Sequence, residues 1–198
     1  MSGPRYHVSF RRRRLNITDY YTRRTMMRSG KIRLVVRISS EYVYAQLIEF
    51  AIKGDNVLES VCSKELKKLG WEASYSNTSA AYLTGLLLGK KACEKGIKDA
   101  ILDIGLKRPS SGAKIFAVLK GALDAGLEVP HDEQILPTEE RLRGNHIASY
   151  ANILREEDSQ RYEKLFSTYL SKGLKPEQLP ERFDDTKKSI LNLSKGDS

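Results

Sequence analysis

Lys31-Ile-Arg-Leu-Val-Val-Arg-Ile38 alternates with a period of two: Ile32, Leu34, Val36 and Ile38 share one face, and Lys31, Arg33 and Arg37 share the other. Successive side chains of a strand point to opposite faces, so this spacing predicts a half-buried β-strand. Ser39-Ser40-Glu41 is turn material, and Tyr42 to Phe50 is rich in strand formers, so the two runs predict a hairpin. Gly54-Asp55 turns the chain into a third strand near Val57–Cys62, followed by a short helix over Lys64–Leu69 that stops at Gly70.

Beyond this point the period changes. Ser76-Asn77-Thr78-Ser79 offers N-cap side chains, and Ala80 to Lys95 reads as a mostly apolar helix closed by Gly96. A strand is expected from Ile97 to about Ile104. After the loop Gly105–Gly112, residues Ile115, Val118, Leu119, Ala122 and Leu123 fall at i, i+3, i+4, i+7 and i+8, a helix that Gly126 ends. Leu127–Val129 would be a last short strand. Strands first and then helix–strand–helix–strand argue an α/β fold, a mixed β-sheet packed with two main helices. Pro130 opens a different region. Short helices are expected at Glu139–Arg143 and Ile147–Ala151, and a longer one at Glu156–Lys172 with Tyr162, Leu165, Phe166, Tyr169 and Leu170 on one stripe. Leu174 to Ser198 is polar and wraps another surface or frays. The chain thus divides into an extended basic arm (1–30), an α/β core (31–130) and a mainly helical C-terminal extension (131–198).

The chain has 198 residues, 40% hydrophobic and 30% charged, which suits one domain with a real core and some extra chain. The net charge of +9 is unevenly placed. Residues 1–37 hold eleven Lys or Arg against one acid, a local charge of +10, while 38–130 carry +1 and 131–198 carry −2. No run approaches the ~18 apolar residues of a membrane span. No apolar segment follows the arginines, so no secretory signal is expected, and Tyr6, Phe10, Tyr20 and Tyr21 fit a transit peptide poorly. Cys62 and Cys93 stand apart from each other and from the histidines, without zinc spacing. They are expected to be two buried thiols of an intracellular protein.

The arm carries the strongest chemical signal. Arg11-Arg12-Arg13-Arg14, Arg23-Arg24, Arg28, Lys31, Arg33 and Arg37 are interleaved with Tyr6, Phe10, Tyr20 and Tyr21. Guanidinium groups bind phosphate bidentately and aromatic rings stack on unpaired bases, so the composition points to nucleic acid. Arginine outnumbers lysine ten to one here, which favours nucleic acid over a solubilising surface. A membrane surface would want an amphipathic helix with an apolar face, which the arm lacks. A second candidate is the loop Lys107-Arg108-Pro109-Ser110-Ser111-Gly112 ahead of Lys114, which sets three cations and free amides at a helix N-terminus.

Two other patterns resolve as structure. Gly85-Leu-Leu-Leu-Gly89-Lys90-Lys91 lacks the spacing and the Ser or Thr of a phosphate loop and lies inside a helix. Ala80, Ala81, Gly85 and Gly89 instead let a neighbouring element approach, with Lys90 and Lys91 emerging at the helix end. Asp99 and Asp103 share a strand face, with Glu49 and Asp55 near another, and a metal-dependent nuclease would need several such carboxylates to converge on an ion. Acids bounded by Lys98 and Lys107 read rather as edge charges or ion-pair partners. A DNA-binding regulator is the other rival, but no helix-turn-helix with a basic second helix is present.

The order of these residues resembles a known family. Arg14 with Thr18-Asp19-Tyr20 and Arg23, then Lys31-Ile-Arg33-Leu-Val-Val-Arg37 and Ala45-Gln46, is similar to the opening of the universal large-subunit ribosomal protein L-eighteen. Asn77-Thr-Ser-Ala80-Ala81-Tyr82-Leu-Thr-Gly85, Gly89-Lys-Lys-Ala92, Gly96-Ile97, Leu102-Asp103-Ile-Gly105, Ala117 to Leu127 and Pro130-His131 continue the likeness. Glu139-Glu140-Arg141, Gly144, His146-Ile147 and Tyr150 resemble the archaeal type, related to the eukaryotic 5S rRNA-binding protein. The resemblance covers roughly residues 5–155. It departs at Ser39-Ser40-Glu41, where the family usually has Ser-Asn and a basic residue, and Glu41 would repel phosphate.

The resemblance implies a structural constituent of the cytoplasmic large ribosomal subunit, without catalysis or cofactor, that attaches 5S rRNA to the central protuberance. The implied partners are 5S rRNA, large-subunit rRNA and neighbouring ribosomal proteins, with no membrane and no obligate homo-oligomer. The residues expected to meet RNA are Arg5, Arg11, Arg12, Arg13, Arg14, Tyr20, Arg23, Arg24, Arg28, Lys31, Arg33 and Arg37. Asn77, Lys90, Lys91, Lys107, Arg108 and Lys114 join them from the core.

Overall fold

The structure, a computed structural model, describes residues 7–193, so Arg5 and Tyr6 lie outside the described residues. The arm is not extended as its sequence reads. It forms α1 (Arg11–Arg14) and α2 (Tyr20–Arg28). The Asp19 carboxylate caps α2, accepting from the amides of Tyr21 at 3.0 Å and Thr22 at 3.2 Å. A nine-residue polar helix is marginal by itself. What holds it is tertiary: the Arg23 guanidinium lies 2.7 Å from Asp55.

The predicted hairpin forms. β1 (Arg33–Ile38) pairs antiparallel with β2 (Val43–Glu49), which pairs antiparallel with β3 (Asn56–Cys62). β4 (Ile101–Asp103) joins β1 in parallel, giving the mixed order β3-β2-β1-β4. The expected strand at Ile97–Ile104 is therefore shorter, and Leu127–Val129 gives only a single bridge, Asp99 to Glu128. The expected short helix after β3 is a 3-10 helix over Ser63–Leu69. On the inner face Leu34, Val36, Val43, Ala45 and Leu47 are fully buried, as the alternation required. The other face breaks the alternation, because Arg33 is only 2% exposed and Val35 only 6%.

Arg33 is buried because two carboxylates meet it. Its guanidinium is 2.7 Å from Asp55, in the turn before β3, and 3.1 Å from Asp103, on β4. Arg37 reaches the other oxygen of Asp103 at 2.9 Å. The relay Arg23–Asp55–Arg33–Asp103–Arg37 thus ties the arm helix to the sheet. Asp103 is the ion-pair partner that its sequence context suggested, and it also accepts the Gly105 amide at 2.9 Å.

α3 (Thr78–Glu94) and α4 (Lys114–Asp124) cover the inner face. They touch through glycine: a Cβ on Gly85 would collide with the carbonyl oxygen of Val118, and one on Gly121 with that of Tyr82. The close approach read from Gly85 and Gly89 is borne out, and Gly121 supplies its counterpart.

The extension contains α5 (Glu139–Arg143), α6 (Asn145–Glu157), α7 (Ser159–Leu165), α8 (Ser167–Leu170) and α9 (Leu179–Asn192). The short helix expected at Ile147–Ala151 is the middle of a longer one. The single helix expected over Glu156–Lys172 is interrupted at Asp158, whose carboxylate caps α7 through the Arg161 amide at 2.9 Å, and again at Phe166. Tyr162 and Phe166 pack with Ala151 and Leu154, whereas Leu165 and Leu170 face out. Up to residue 193 the segment after Leu174 wraps rather than frays: Leu179, Phe183 and Ile190 join Leu142 in the main core. The thiols are not buried as expected. Cys62 is half-buried and Cys93, near the end of α3, is exposed.

Two expectations follow for stability. Gly85→Ala should gain about 1 kcal/mol of helix propensity yet force apart two backbones, a strain of about 3 kcal/mol. The urea midpoint should fall, and an unchanged or raised midpoint would mean that α3 and α4 separate freely. For Asp55, burial pushes the carboxyl up, but hydrogen bonds and charge from Arg23 and Arg33 outweigh burial and hold it below its ordinary value. A folded-state value below the unfolded one stabilises the fold above about pH 4. That contribution is lost as the pH falls through the folded value. From about pH 5 to about pH 3 the melting temperature of wild type should therefore drop more steeply than that of Asp55→Asn. Parallel acid limbs would show that the carboxylate charge at 55 is dispensable.

Candidate nucleic-acid interface

The arm cations divide into those fixed by the fold and those left free. Helix geometry sends successive residues around the axis by about 100°. Arg11–Arg14 therefore fan out around α1 instead of alternating sides, and all four are exposed. Arg12 donates from Nε to the Thr18 hydroxyl at 3.0 Å. Arg11, Arg13, Arg14, Arg24 and Arg28 are exposed and form no ion pair among the described residues. Phe10 is 82% and Tyr21 84% exposed, with Tyr20 less so. Exposed rings of this size among free guanidinium groups suit stacking on unpaired bases.

Arg23, Arg33 and Arg37 belong to the ion-pair relay. Arg33, at 2% exposure, cannot reach an external phosphate, so its expected contact with RNA is replaced by a positioning role. The alternation placed its side chain on the outer face correctly, but Asp55 and Asp103 enclose that part of the face. Arg37 remains half-exposed beyond its bonds to Asp103 and to the carbonyl of Val36. Lys31 stays exposed beside Asp99 at 3.5 Å.

Between the arm helices and the β4 edge lies a cleft of about 450 Å³. Arg12, Arg23, Arg37 and Lys107 line it, outnumbering Asp19 and Asp103 on the same wall, and Ile17, Met26, Leu102 and Ile104 give it apolar wall. Residues far apart in the chain therefore present one cationic opening. Lys107 and Arg108 are exposed in the loop before α4, and Lys114 is exposed at the first position of that helix. Two of the loop amides expected to be free are used internally: Gly112 donates to Ile135 at 2.9 Å and Ala113 to Ser110 at 3.1 Å. The phosphate-binding capacity of this loop thus rests more on its side chains than on its backbone.

The other core candidates take structural positions. Asn77 is the N-cap of α3, accepting from the Ala80 amide at 2.7 Å. The Lys90 ammonium donates to the carbonyls of Ile190 at 2.9 Å and Leu191 at 2.8 Å, and to Leu193, closing the C-terminal end of α9. Lys91 meets Glu65 at 3.4 Å. Lys90 and Lys91 do leave the helix end as the sequence implied, but they meet the extension and the 3-10 helix. Reading the sequence weighed Asp55 only as a nuclease carboxylate near Glu49, and its Gly-Asp turn gave no signal of the pairing with Arg23 and Arg33. The rival nuclease site does not assemble: Asp103 lies between two arginines, Asp99 faces Lys31, and no metal-binding cluster of three carboxylates, His or Cys occurs among the described residues.

Comparison with known proteins identifies the family. Residues 4–100 and 92–132 match the family model described as "Ribosomal large subunit proteins 60S L5, and 50S L18". The chain is 52% identical over 189 residues to the large ribosomal subunit protein uL18 of Aeropyrum pernix, covering 95% of this chain and 88% of that protein. It is 54% identical over 188 residues to the protein of the same name from Methanothermobacter thermautotrophicus, covering 95% and 96%. It is 52% identical over 191 residues to that of Caldivirga maquilingensis, covering 96% and 92%. With an arginine-rich arm docked on a mixed α/β sheet and these matches over nearly its whole length, the chain belongs to the uL18 family of large ribosomal subunit proteins, structural constituents of the cytoplasmic ribosome and not enzymes.

Proposed function

We propose that this protein binds 5S rRNA and attaches it to the central protuberance of the large subunit, while also contacting large-subunit rRNA. The observation that carries the proposal is the convergence of Arg12, Arg23, Arg37 and Lys107 on one cleft beneath an arm of otherwise free arginines. Arg11–Arg14, Arg24, Arg28, Arg37, Lys107, Arg108 and Lys114 neutralise phosphates, Arg5 extends the same run, and Tyr20 stacks. Arg33, Asp55 and Asp103 touch no RNA in this reading; they fix where the arm stands. Because α2 is already docked, binding orders less chain than an extended arm would, which lowers the entropic cost of association. The near-neutral extension faces neighbouring ribosomal proteins of the central protuberance.

Two measurements test this. In a filter-binding competition, 5S rRNA should displace labelled 5S rRNA at much lower concentration than tRNA or duplex DNA does; equal competition would reduce the protein to a non-specific polycation. Salt dependence then counts contacts, with log affinity falling by about 0.7–0.9 per phosphate neutralised for each decade of salt. About five or six contacts give a slope near −4 to −5. Replacing Arg11–Arg14 by alanine should make the slope shallower by about one to three, and replacing Lys175 and Lys188 should change it little. An unaltered slope in the arginine variant would make the run a solvated tether and shift recognition to the sheet and the 107–114 loop.

A further inference from the structure

Away from the arm, aromatic and basic residues gather where the start of β2 meets the 3-10 helix, the loop after Gly70 and the turn after α8. Tyr42 and Tyr75 stack with ring centroids 6.0 Å apart and planes 26° apart. Tyr44 meets Tyr42 edge-on at 6.5 Å. The Lys172 ammonium stands 5.5 Å over the Tyr75 ring, held by donating to the carbonyl of Glu72 at 3.1 Å. A cavity of about 390 Å³ opens here, lined by Tyr42, Tyr75, Glu72, Lys64, Lys67 and Lys172.

Lys64 and Lys67 both face this cavity for a geometric reason. A 3-10 helix has three residues per turn, so positions i and i+3 eclipse. Glu65, between them, is turned elsewhere, accepting from the Cys62 amide at 2.8 Å and meeting Lys91 at 3.4 Å. Lys64 and Lys67 are exposed and form no ion pair among the described residues. The one acid on the wall, Glu72, has Arg182 at 3.7 Å. Three cations against one acid favour a polyanion over a neutral peptide, and stacked tyrosine rings offer any base a flat face. The volume lies in the range of small-ligand pockets, about 300–1,000 Å³.

We infer that this is a second RNA contact, separate from the arm: a platform for a single unpaired nucleotide of ribosomal RNA. The base lies on the Tyr42–Tyr75 surface, and Lys64 and Lys67 hold its phosphate. The inference rests on the reading that the chain binds rRNA, but it uses no residue of the arm or of the cleft beneath it.

The test uses the full chain and octaadenylate RNA, with 5S rRNA measured in parallel. Tyr42→Ser should weaken octaadenylate binding about ten-fold, the loss expected for one stacked base. Tyr42→Phe, which keeps the ring, should stay within about two-fold. Lys64→Gln with Lys67→Gln should make the salt slope shallower by about one to two. Zero-length ultraviolet crosslinking should place RNA on the peptide holding Tyr42 or Tyr75. Should Tyr42→Ser unfold, the lysine pair and the crosslink map still decide the matter. Crosslinks confined to the arm, with the lysine variant binding like wild type, would overturn the platform, leave the arm reading standing and hand the surface to a protein neighbour. Wild type that failed to bind 5S rRNA would remove the platform together with the reading beneath it.

Discussion

An arginine on a strand cannot be buried without compensation, and much of this molecule is arranged around Arg33, the first residue of β1. Removing an ion from water costs several kcal/mol even after relaxation, so both of its terminal nitrogens need a partner. Asp103 reaches one only because β4 lies parallel beside β1, with Val35 opposite Asp103 in register. Asp55 reaches the other only because the turn before β3 folds back over the sheet. The same carboxylate oxygen then takes Arg23, so the arm helix docks where the buried charge requires it. The position of the cleft follows from that dock.

The relay also sorts the basic residues into two kinds. Arg23 and Arg33 have their charge answered within the relay, and Lys90 and Lys91 are engaged by backbone carbonyls and Glu65. Arg11, Arg13, Arg14, Arg24 and Arg28 are answered by nothing among the described residues. A count of lysine and arginine in the sequence treats the two kinds alike, although only the second can neutralise phosphate without first breaking an internal contact. Arg37 stands between them, holding Asp103 while half its surface faces solvent.

The parts of the fold visible in the sequence were those set by local periodicity. The alternation of Lys31–Ile38 placed the inner face of β1, and the apolar spacing after Ala113 placed α4, because burial on one face leaves a repeating trace. The small residues of α3 showed the close contact but not its partner. α2 was not visible, since its stability comes from a cap and one long-range ion pair and leaves no apolar period. Tertiary context also separated Arg33 from Arg37, which share a strand face and differ in what stands opposite. The interruption at Asp158 was hidden because the stripe from Tyr162 to Leu170 is continuous in sequence while only Tyr162 and Phe166 are buried from it. In the interface, the arm was legible from composition, whereas the meeting of Arg12 with Lys107 depends on the crossover that sets β4 beside β1.

The cap that Lys90 places on α9 has a consequence for how the protein is made. Its ammonium lies in α3, and the first carbonyl it meets, that of Ile190, comes 100 residues later. At synthesis rates of about 5–20 residues per second, that interval lasts roughly 5–20 s. In its later part the sheet, α3 and α4 have been made, but the surface destined for Phe183 and Ile190 is bare and Lys90 has not yet met its carbonyls. The nascent chain thus passes through a stage with its basic arm finished and one side of its core open, and α9 closes it once made.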